Sequence, residues 1–439
     1  MSVSRIRRRI AVAACVLVAF LCSACAPRII EQIPLLDPEH KHFGIHHDYG
    51  VEDPQFERSI GNLLGPPVVG GNSIVTLVNG NRIFPEMLEA IRGAKKTINF
   101  ETFIYWSGDI GEEFAKAFAE RARAGVKVSV VLDWIGMSKL DEKFVSTMKN
   151  AGVRVELYHQ LHWYDPRRFN DIANLDNRTH RKLLIVDGRV GFTGGVGIAD
   201  EWNGDARNDK EWRDTHYRIE GPVVSQLQSA FIENWMEAGG ELLHGDDYFP
   251  ELQARGPAKA QAFRGSPSDA SDSIELMYRM AIVSATRSIK LSSAYFVPDR
   301  GIVKTLIDAA KRGVKIEILV PGQKIDHQVV RSASRAVWGD LLQAGVKIYE
   351  YQPTMFHCKV LVIDGFFTSV GSTNFDSRSF HLNDEVNLNI FDNRIAEQQE
   401  AQFEQDRARA KEISLEDWKN RPLFERLGDN LAALFGSEL

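Results

Sequence analysis

Cysteine is nearly absent from the body of this 439-residue chain. Of its four cysteines, Cys15, Cys22 and Cys25 fall near the amino terminus, so Cys358 stands alone in the rest and an internal disulfide is excluded there. Long apolar runs are also scarce. The one such stretch, Ile10 to about Ala26, spans about 17 residues, which is short for a membrane-crossing helix but compatible with a retained anchor. Nor is positive charge in excess: 53 Lys and Arg face 59 Asp and Glu, a formal net charge of -6. A nucleic-acid partner is therefore not expected, because binding a phosphate backbone needs clustered cations. What remains is ordinary globular composition, 44% hydrophobic and 26% charged, in a chain long enough for two core-bearing units.

Arg5, Arg7, Arg8 and Arg9 precede the apolar stretch and Pro27 follows it, so residues 1–26 read as a signal peptide or membrane anchor with its basic end cytoplasmic. The string LCSAC, ending in Cys25, also resembles a lipoprotein cleavage site, although Cys22 occupies the position where such sites usually carry Leu. The expected location of the folded body is membrane-associated and extracytoplasmic.

Two strings dominate the remainder: HRKLLIVD from His180 to Asp187 and HCKVLVID from His357 to Asp364. Both read H-x-K-x-x-x-x-D, a pattern that composition predicts about 0.03 times per chain of this length. The apolar runs Leu183–Val186 and Val360–Ile363 read as buried strands. Alternation then puts His180 with Lys182 on one strand face, and His357 with Lys359 likewise. Asp187 and Asp364, each before a glycine, fall at strand ends as orienting groups. Cys358 points to the opposite face, as a small packing residue.

The repeat extends beyond these strings. AKKTINFETFIY from Ala94 matches ATRSIKLSSAYF from Ala285, AGVKVSVVL from Ala124 matches RGVKIEILV from Arg312, and AGVRVELY from Ala151 matches AGVKIYEY from Ala344. The offsets are 191, 188 and 193 residues, and 177 for the histidines. Each half reads as strands alternating with helices, ending in the motif strand. Expected boundaries are 70–248 and 262–400 for the halves and 401–439 for a helical tail. The Gly-, Pro-, Ser- and Ala-rich segment from Gly256 reads as the linker.

The paired strings resemble the HKD motifs of the phospholipase D superfamily, whose longer pattern continues to G-S-x-N. Gly371, Ser372, Thr373 and Asn374 match it fully, whereas the first copy has Gly194, Gly195, Val196 and Gly197. The strings GGVGIADEW, WRDTHYRIEGPVV, YFVPD, EYQPTMFHCKV, VGSTNFDSRSFHLNDEVNL and EDWKNRPL resemble bacterial cardiolipin synthases, over roughly Asn72 to Leu423. The resemblance implies an α/β fold: a duplicated phospholipase D-like α/β/α sandwich whose two pseudo-two-fold-related halves share one active site.

It implies phosphatidyl transfer between two phosphatidylglycerol molecules, giving cardiolipin and glycerol, at a membrane surface. Hydrolysis by a phospholipase D and action on other phosphodiesters remain open alternatives. One histidine attacks phosphorus and the other protonates the leaving oxygen; His180 is favoured as nucleophile by analogy. Lys182 and Lys359, aided by Asn374 and Ser372, hold the phosphate charge, so no metal or cofactor is invoked. Asp214 and Glu385 are the carboxylates expected to fix the imidazole tautomers. Arg331 and Arg335, four apart on an expected helix, are candidates for a second phosphate.

Overall fold

The computed structural model describes residues 44–160, 177–267 and 273–433. The leader with Cys25, and the aromatic and basic loop around Trp163 and Arg168, lie outside these described residues.

Two segments of chain supply the same series of elements. The first holds β1 (Val69–Val78), β2 (Thr97–Thr102), β3 (Lys127–Asp133), β4 (Arg154–Tyr158), β5 (Arg178–Thr179), β6 (Lys182–Val186), β7 (Val190–Gly194) and β8 (Thr215–Glu220). Helices Gly80–Gly93, Asp109–Arg123, Glu142–Asn150 and Val224–Glu237 follow β1, β2, β3 and β8. The second holds β9 (Ala258–Gly265), β10 (Ser288–Ser293), β11 (Phe296–Val297), β12 (Lys315–Pro321), β13 (Lys347–Tyr351), β14 (Lys359–Ile363), β15 (Phe367–Gly371), β16 (Phe375–Asp376), β17 (Asn383–Phe391) and β18 (Ala410–Ile413). Its helices Ser273–Val283, Arg300–Lys311, Gln328–Gln343 and Asn393–Arg407 occupy the corresponding places.

One sheet runs through both segments in the order β18-β13-β12-β10-β14-β15-β17-β9-β1-β8-β7-β6-β2-β3-β4. Outward from the central antiparallel pair β9-β1, the two sides repeat the same order, which is the pattern of a pseudo-two-fold axis. Strand β6 alternates its side chains between two cores. Leu184 and Val186 join the three outer helices of the first half, while Leu183 and Ile185 join Leu227 and Phe231 of helix Val224–Glu237 on the other face. Helices on both faces of a sheet make the α/β/α sandwich.

Two stretches differ from the sequence reading. The segment from Gly256 is not merely a linker, because it contains β9 at the centre of the sheet. Its small side chains have a packing reason: buried Ala258, Ala260 and Ala262 share a cluster with Leu227, Phe231 and Ile395, so helices from both halves meet over them. The tail is not purely helical either. Residue 401 lies inside helix Asn393–Arg407, and β18 then pairs antiparallel with β13 before helices Leu415–Lys419 and Leu423–Ala433.

The motif aspartates sit in hairpin turns. Asp187 and Gly188 have φ 53° and 62°, and Asp364 and Gly365 have φ 56° and 65°, the paired left-handed geometry of a tight β-hairpin. The Asp187 carboxylate accepts backbone N–H groups of Lys95, Lys96 and Thr97 at 2.7–3.1 Å. Asp364 accepts those of Thr286, Arg287 and Ser288 at 2.7–2.8 Å. Each ties its hairpin to the start of the neighbouring strand.

Candidate active site

The chain entering each motif pairs with the opposite half. The backbone N–H of His180 donates to the Asp384 carbonyl at 2.9 Å, and that of His357 donates to the Arg213 carbonyl at 2.7 Å. These pairings carry the carboxylates across. His180 Nδ1 lies 2.8 Å from Glu385 Oε1, and His357 Nδ1 lies 2.7 Å from Asp214 Oδ2. Thus Glu385 serves the histidine of the first half and Asp214 that of the second. Occupation of Nδ1 fixes the tautomer and leaves Nε2 as the ring nitrogen not held by a carboxylate.

All six residues of this group, including both lysines, are buried. Lys182 Nζ donates to the His180 carbonyl at 2.6 Å and Lys359 Nζ to the His357 carbonyl at 2.8 Å. Lys359 Nζ also lies 3.1 and 3.2 Å from the two ring nitrogens of His357. Burial holds His180 down to about 4, with Lys182 and Lys359 adding to the effect against the opposing pull of Glu385. His357 is lowered by the same causes, burial first and then Lys359. Burial also lowers both lysines, and the field of Glu385 reaches each of them. The two His-Lys pairs therefore share one electrostatic environment, with neutral imidazoles, ionised carboxylates and two lysines whose charged form burial disfavours and an incoming phosphodiester anion would favour.

The carboxylates are supported differently. Ser372 Oγ donates to Glu385 and accepts the Val386 N–H at 3.0 Å, so this serine holds the carboxylate instead of facing a phosphate. In the first copy a Cβ at Gly195 would stand 2.1 Å from Asp214 Oδ1, so only glycine leaves room for that carboxylate. Asp214 instead receives Trp202 Nε1 at 2.9 Å and the Thr215 N–H at 2.8 Å. Ser with Glu, and Gly with Asp, are two solutions to one packing problem. The Asn374 side-chain oxygen is buried and has no hydrogen-bond partner among the described residues.

Aromatic rings close the walls. Phe103 packs edge-on to His180 at 5.5 Å between centroids, and Trp202 and Trp212 lie 5.2 and 5.6 Å from His357. Sequence reasoning passed over these rings, although Trp202 and Trp212 stand inside the quoted GGVGIADEW and WRDTHYRIEGPVV strings.

It also passed over two buried arginines. Arg181, inside the first motif, donates to the Glu385 carbonyl at 3.3 Å and pairs with Glu233 at 2.9 Å and Asp384 at 3.8 Å. Arg213 donates to the Asp214 carbonyl at 2.7 Å and grips both oxygens of Asp406 at 2.9 and 2.7 Å. Each arginine fixes the backbone of one orienting carboxylate. Arg213→Met is expected to cost about 3–5 kcal/mol, because Asp406 is left buried without its partner; a shift in the urea midpoint at constant slope checks it.

Other candidates fall elsewhere. Asp187 and Asp364 lie seven residues along from their histidines, about 20 Å at strand rise, so they brace the fold and do not touch the reacting groups. Arg331 is taken up by Glu350 at 2.6 Å, and Arg335 by Asp429 at 2.7 Å and Glu425 at 2.6 Å. Helix spacing gave the two arginines a shared face but not the carboxylates that meet it. Cys358 is buried, and burial pushes its thiol up to about 12, in keeping with packing. Among the described residues, Glu275, Asp299 and His381 cluster closely enough for a cation, and none of them belongs to the motifs.

His216 is buried beside Asp214, neither ring nitrogen has a hydrogen-bond partner among the described residues, and burial lowers it to about 3. Its folded value lies below its unfolded value, so its contribution to stability is fully present above about pH 6.5 and is lost as pH falls. Glu101 and Asp376, raised by burial to about 7, act in the opposite direction. The informative quantity is therefore a difference: between pH 7 and 4.5, wild type should lose about 2 kcal/mol more stability than His216→Gln. Urea titrations at both pH values check it.

A duplicated α/β/α sandwich with two His-Lys pairs gathered across its pseudo-two-fold axis defines the phospholipase D class. The family described as cardiolipin synthase, PLD-like domain, matches residues 87–235 and 278–407. Among curated proteins, the cardiolipin synthase of Geobacillus kaustophilus is 35% identical over 371 residues, 84% of this chain and 72% of that protein. Cardiolipin synthase A of Pseudomonas fluorescens is 34% identical over 380 residues, 86% and 77% of the two chains. Among solved structures, the phosphatidylserine synthase of Haemophilus influenzae shares the fold with a TM-score of 0.66 at 13% identity, covering 88% of this chain and all of that one. The chain belongs to the cardiolipin synthase family of PLD-like proteins.

Proposed function

We propose that this enzyme, a phosphatidyltransferase, converts two molecules of phosphatidylglycerol into cardiolipin and glycerol through a phosphohistidine. The observation that carries the reaction type is the crossed pairing of His180 with Glu385 and of His357 with Asp214, which readies two Nε2 atoms for one phosphorus. The lipid is drawn from the names of the relatives at 34–35% identity.

Neutral His180 attacks phosphorus through Nε2. The P–O bond to the departing glycerol breaks, and His357 Nε2 delivers the proton to that oxygen. The substrate's own negative charge stabilises the imidazolium form of His357 that this step requires. A head-group hydroxyl of the second phosphatidylglycerol then gives its proton to His357 and attacks phosphorus, and the N–P bond breaks. Lys182 and Lys359 hold the non-bridging oxygens, with the Asn374 amide beside them.

Membrane association through the leader, with the catalytic body extracytoplasmic, belongs to the same proposal; no helix among the described residues is long and apolar enough to cross a membrane. The test is incubation of the full chain with phosphatidylglycerol in mixed micelles containing EDTA, followed by mass spectrometry. Cardiolipin with glycerol is the expected outcome. Phosphatidic acid alone would establish a hydrolase instead, and turnover that requires added metal would remove the two-lysine account.

A further inference from the structure

The helix Leu423–Ala433 has two unlike faces. Ala432 is buried in a cluster with Ile325, Val330, Ala333 and Met355, against which Trp212 packs, and Trp212 also lies beside His357. Asp429 is fully buried and paired with Arg335 and Arg421. Glu425 is also turned to Arg335, so both acidic side chains of the helix are tied to the protein.

The other face is apolar and open. Phe424 is 89% exposed and Leu423 70%, with Leu427 and Leu431 also exposed. At about 100° per residue these four fall within about 100° of arc, opposite Asp429 and Ala432. Arg426 is exposed at the edge of this face, and no ion pair is found for it among the described residues.

We propose that this face docks the enzyme on an anionic lipid bilayer, with Leu423, Phe424, Leu427 and Leu431 inserted among the acyl chains and Arg426 at the head groups. Three observations select that occupant. The outward face is apolar with Arg426 at its edge, while Asp429 is buried and the half-exposed Glu425 is paired with Arg335, a charge balance that suits anionic head groups. The inner face of the same helix joins the apolar cluster against which Trp212 also packs, and Trp212 lies beside His357, so docking there brings the membrane toward the site. The inference also rests on the phospholipid reading above: a diacyl substrate reacts most readily where its chains stay in the bilayer, since each methylene withdrawn into water opposes the transfer.

The test uses the full chain with phosphatidylglycerol vesicles. In the first arm Phe424→Trp is compared with the unsubstituted chain in vesicles whose acyl chains carry bromine. Additional quenching from the introduced indole supports docking, and none overturns it. In the second arm Leu427→Glu/Leu431→Glu should lower kcat/KM on long-chain phosphatidylglycerol vesicles about tenfold or more. Its rate on monomeric short-chain phosphatidylglycerol should be unchanged, which also shows that the variant folds. Equal effects on both substrates overturn the proposal. Inactivity of wild type on both would instead defeat the catalytic reading, while the quenching arm still decides docking. A dimer that shields the introduced indole without lipid would identify a second copy as the occupant and overturn the bilayer.

Discussion

Replacing His180 with alanine should remove turnover by at least about five orders of magnitude while the chain still unfolds cooperatively in urea. The magnitude follows from the role: loss of a covalent nucleophile disables the whole sequence of steps, and its partners cannot compensate singly. Replacement of His357 should behave differently. It should cost about 10³–10⁴ with a glycerol leaving group, which needs a proton, and far less with a leaving group that departs as a stable anion. Steady-state assays of both variants on phosphatidylglycerol and on an activated phosphatidyl ester check the contrast. Equal losses on both esters would mean that His357 does not act as the acid.

The second large effect is expected from the orienting carboxylates. Glu385→Gln and Asp214→Asn preserve shape but allow the amide to favour the wrong imidazole tautomer, with a loss of about 10²–10⁴ in kcat. Because the pairs are crossed, the losses should fall on different functions. Glu385→Gln should weaken attack by His180. Asp214→Asn should lower the pKa of His357 further, because removing the anion disfavours its imidazolium form, so the alkaline limb of the kcat profile should move to lower pH. Profiles for the two variants, measured on the activated and the natural ester, separate them. A limb that moves with Glu385→Gln and not with Asp214→Asn would contradict the crossed arrangement.

That crossing was not legible in the sequence. The strings around Asp214 and Glu385 marked both as carboxylates downstream of a motif, and the repeat offsets marked two like halves. Which histidine each carboxylate meets depends on β5 pairing with β17 and on the central β9-β1 pair, contacts between residues more than 150 positions apart. The strand that makes the junction was hidden by its composition: the alanines of β9 are small because two helices crowd over them, and that smallness reads as a linker. The His-Lys spacing was legible because strand alternation is a local rule. The fates of Arg331 and Arg335 were not, since Glu350 and Asp429 reach them from another strand and from the last described helix.

The Ser372 and Gly195 difference has a similar origin. Taken alone, loss of Ser and Asn from the first copy suggests a weakened phosphate site. In the folded chain Gly195 makes room for Asp214, while Ser372 steadies Glu385. The departure from the motif is thus matched by a change in the carboxylate it supports.

In the proposed reaction one site, built by both halves, carries the phosphatidyl group on His180. Its most direct test is to mix the His357→Ala variant with a p-nitrophenyl phosphatidyl ester, whose leaving group needs no proton, then quench in alkali and map the adduct by mass spectrometry. The expected result is a burst of one equivalent of p-nitrophenolate and a phosphatidyl group on His180, released slowly thereafter. No burst, or an adduct on any other residue, would contradict it.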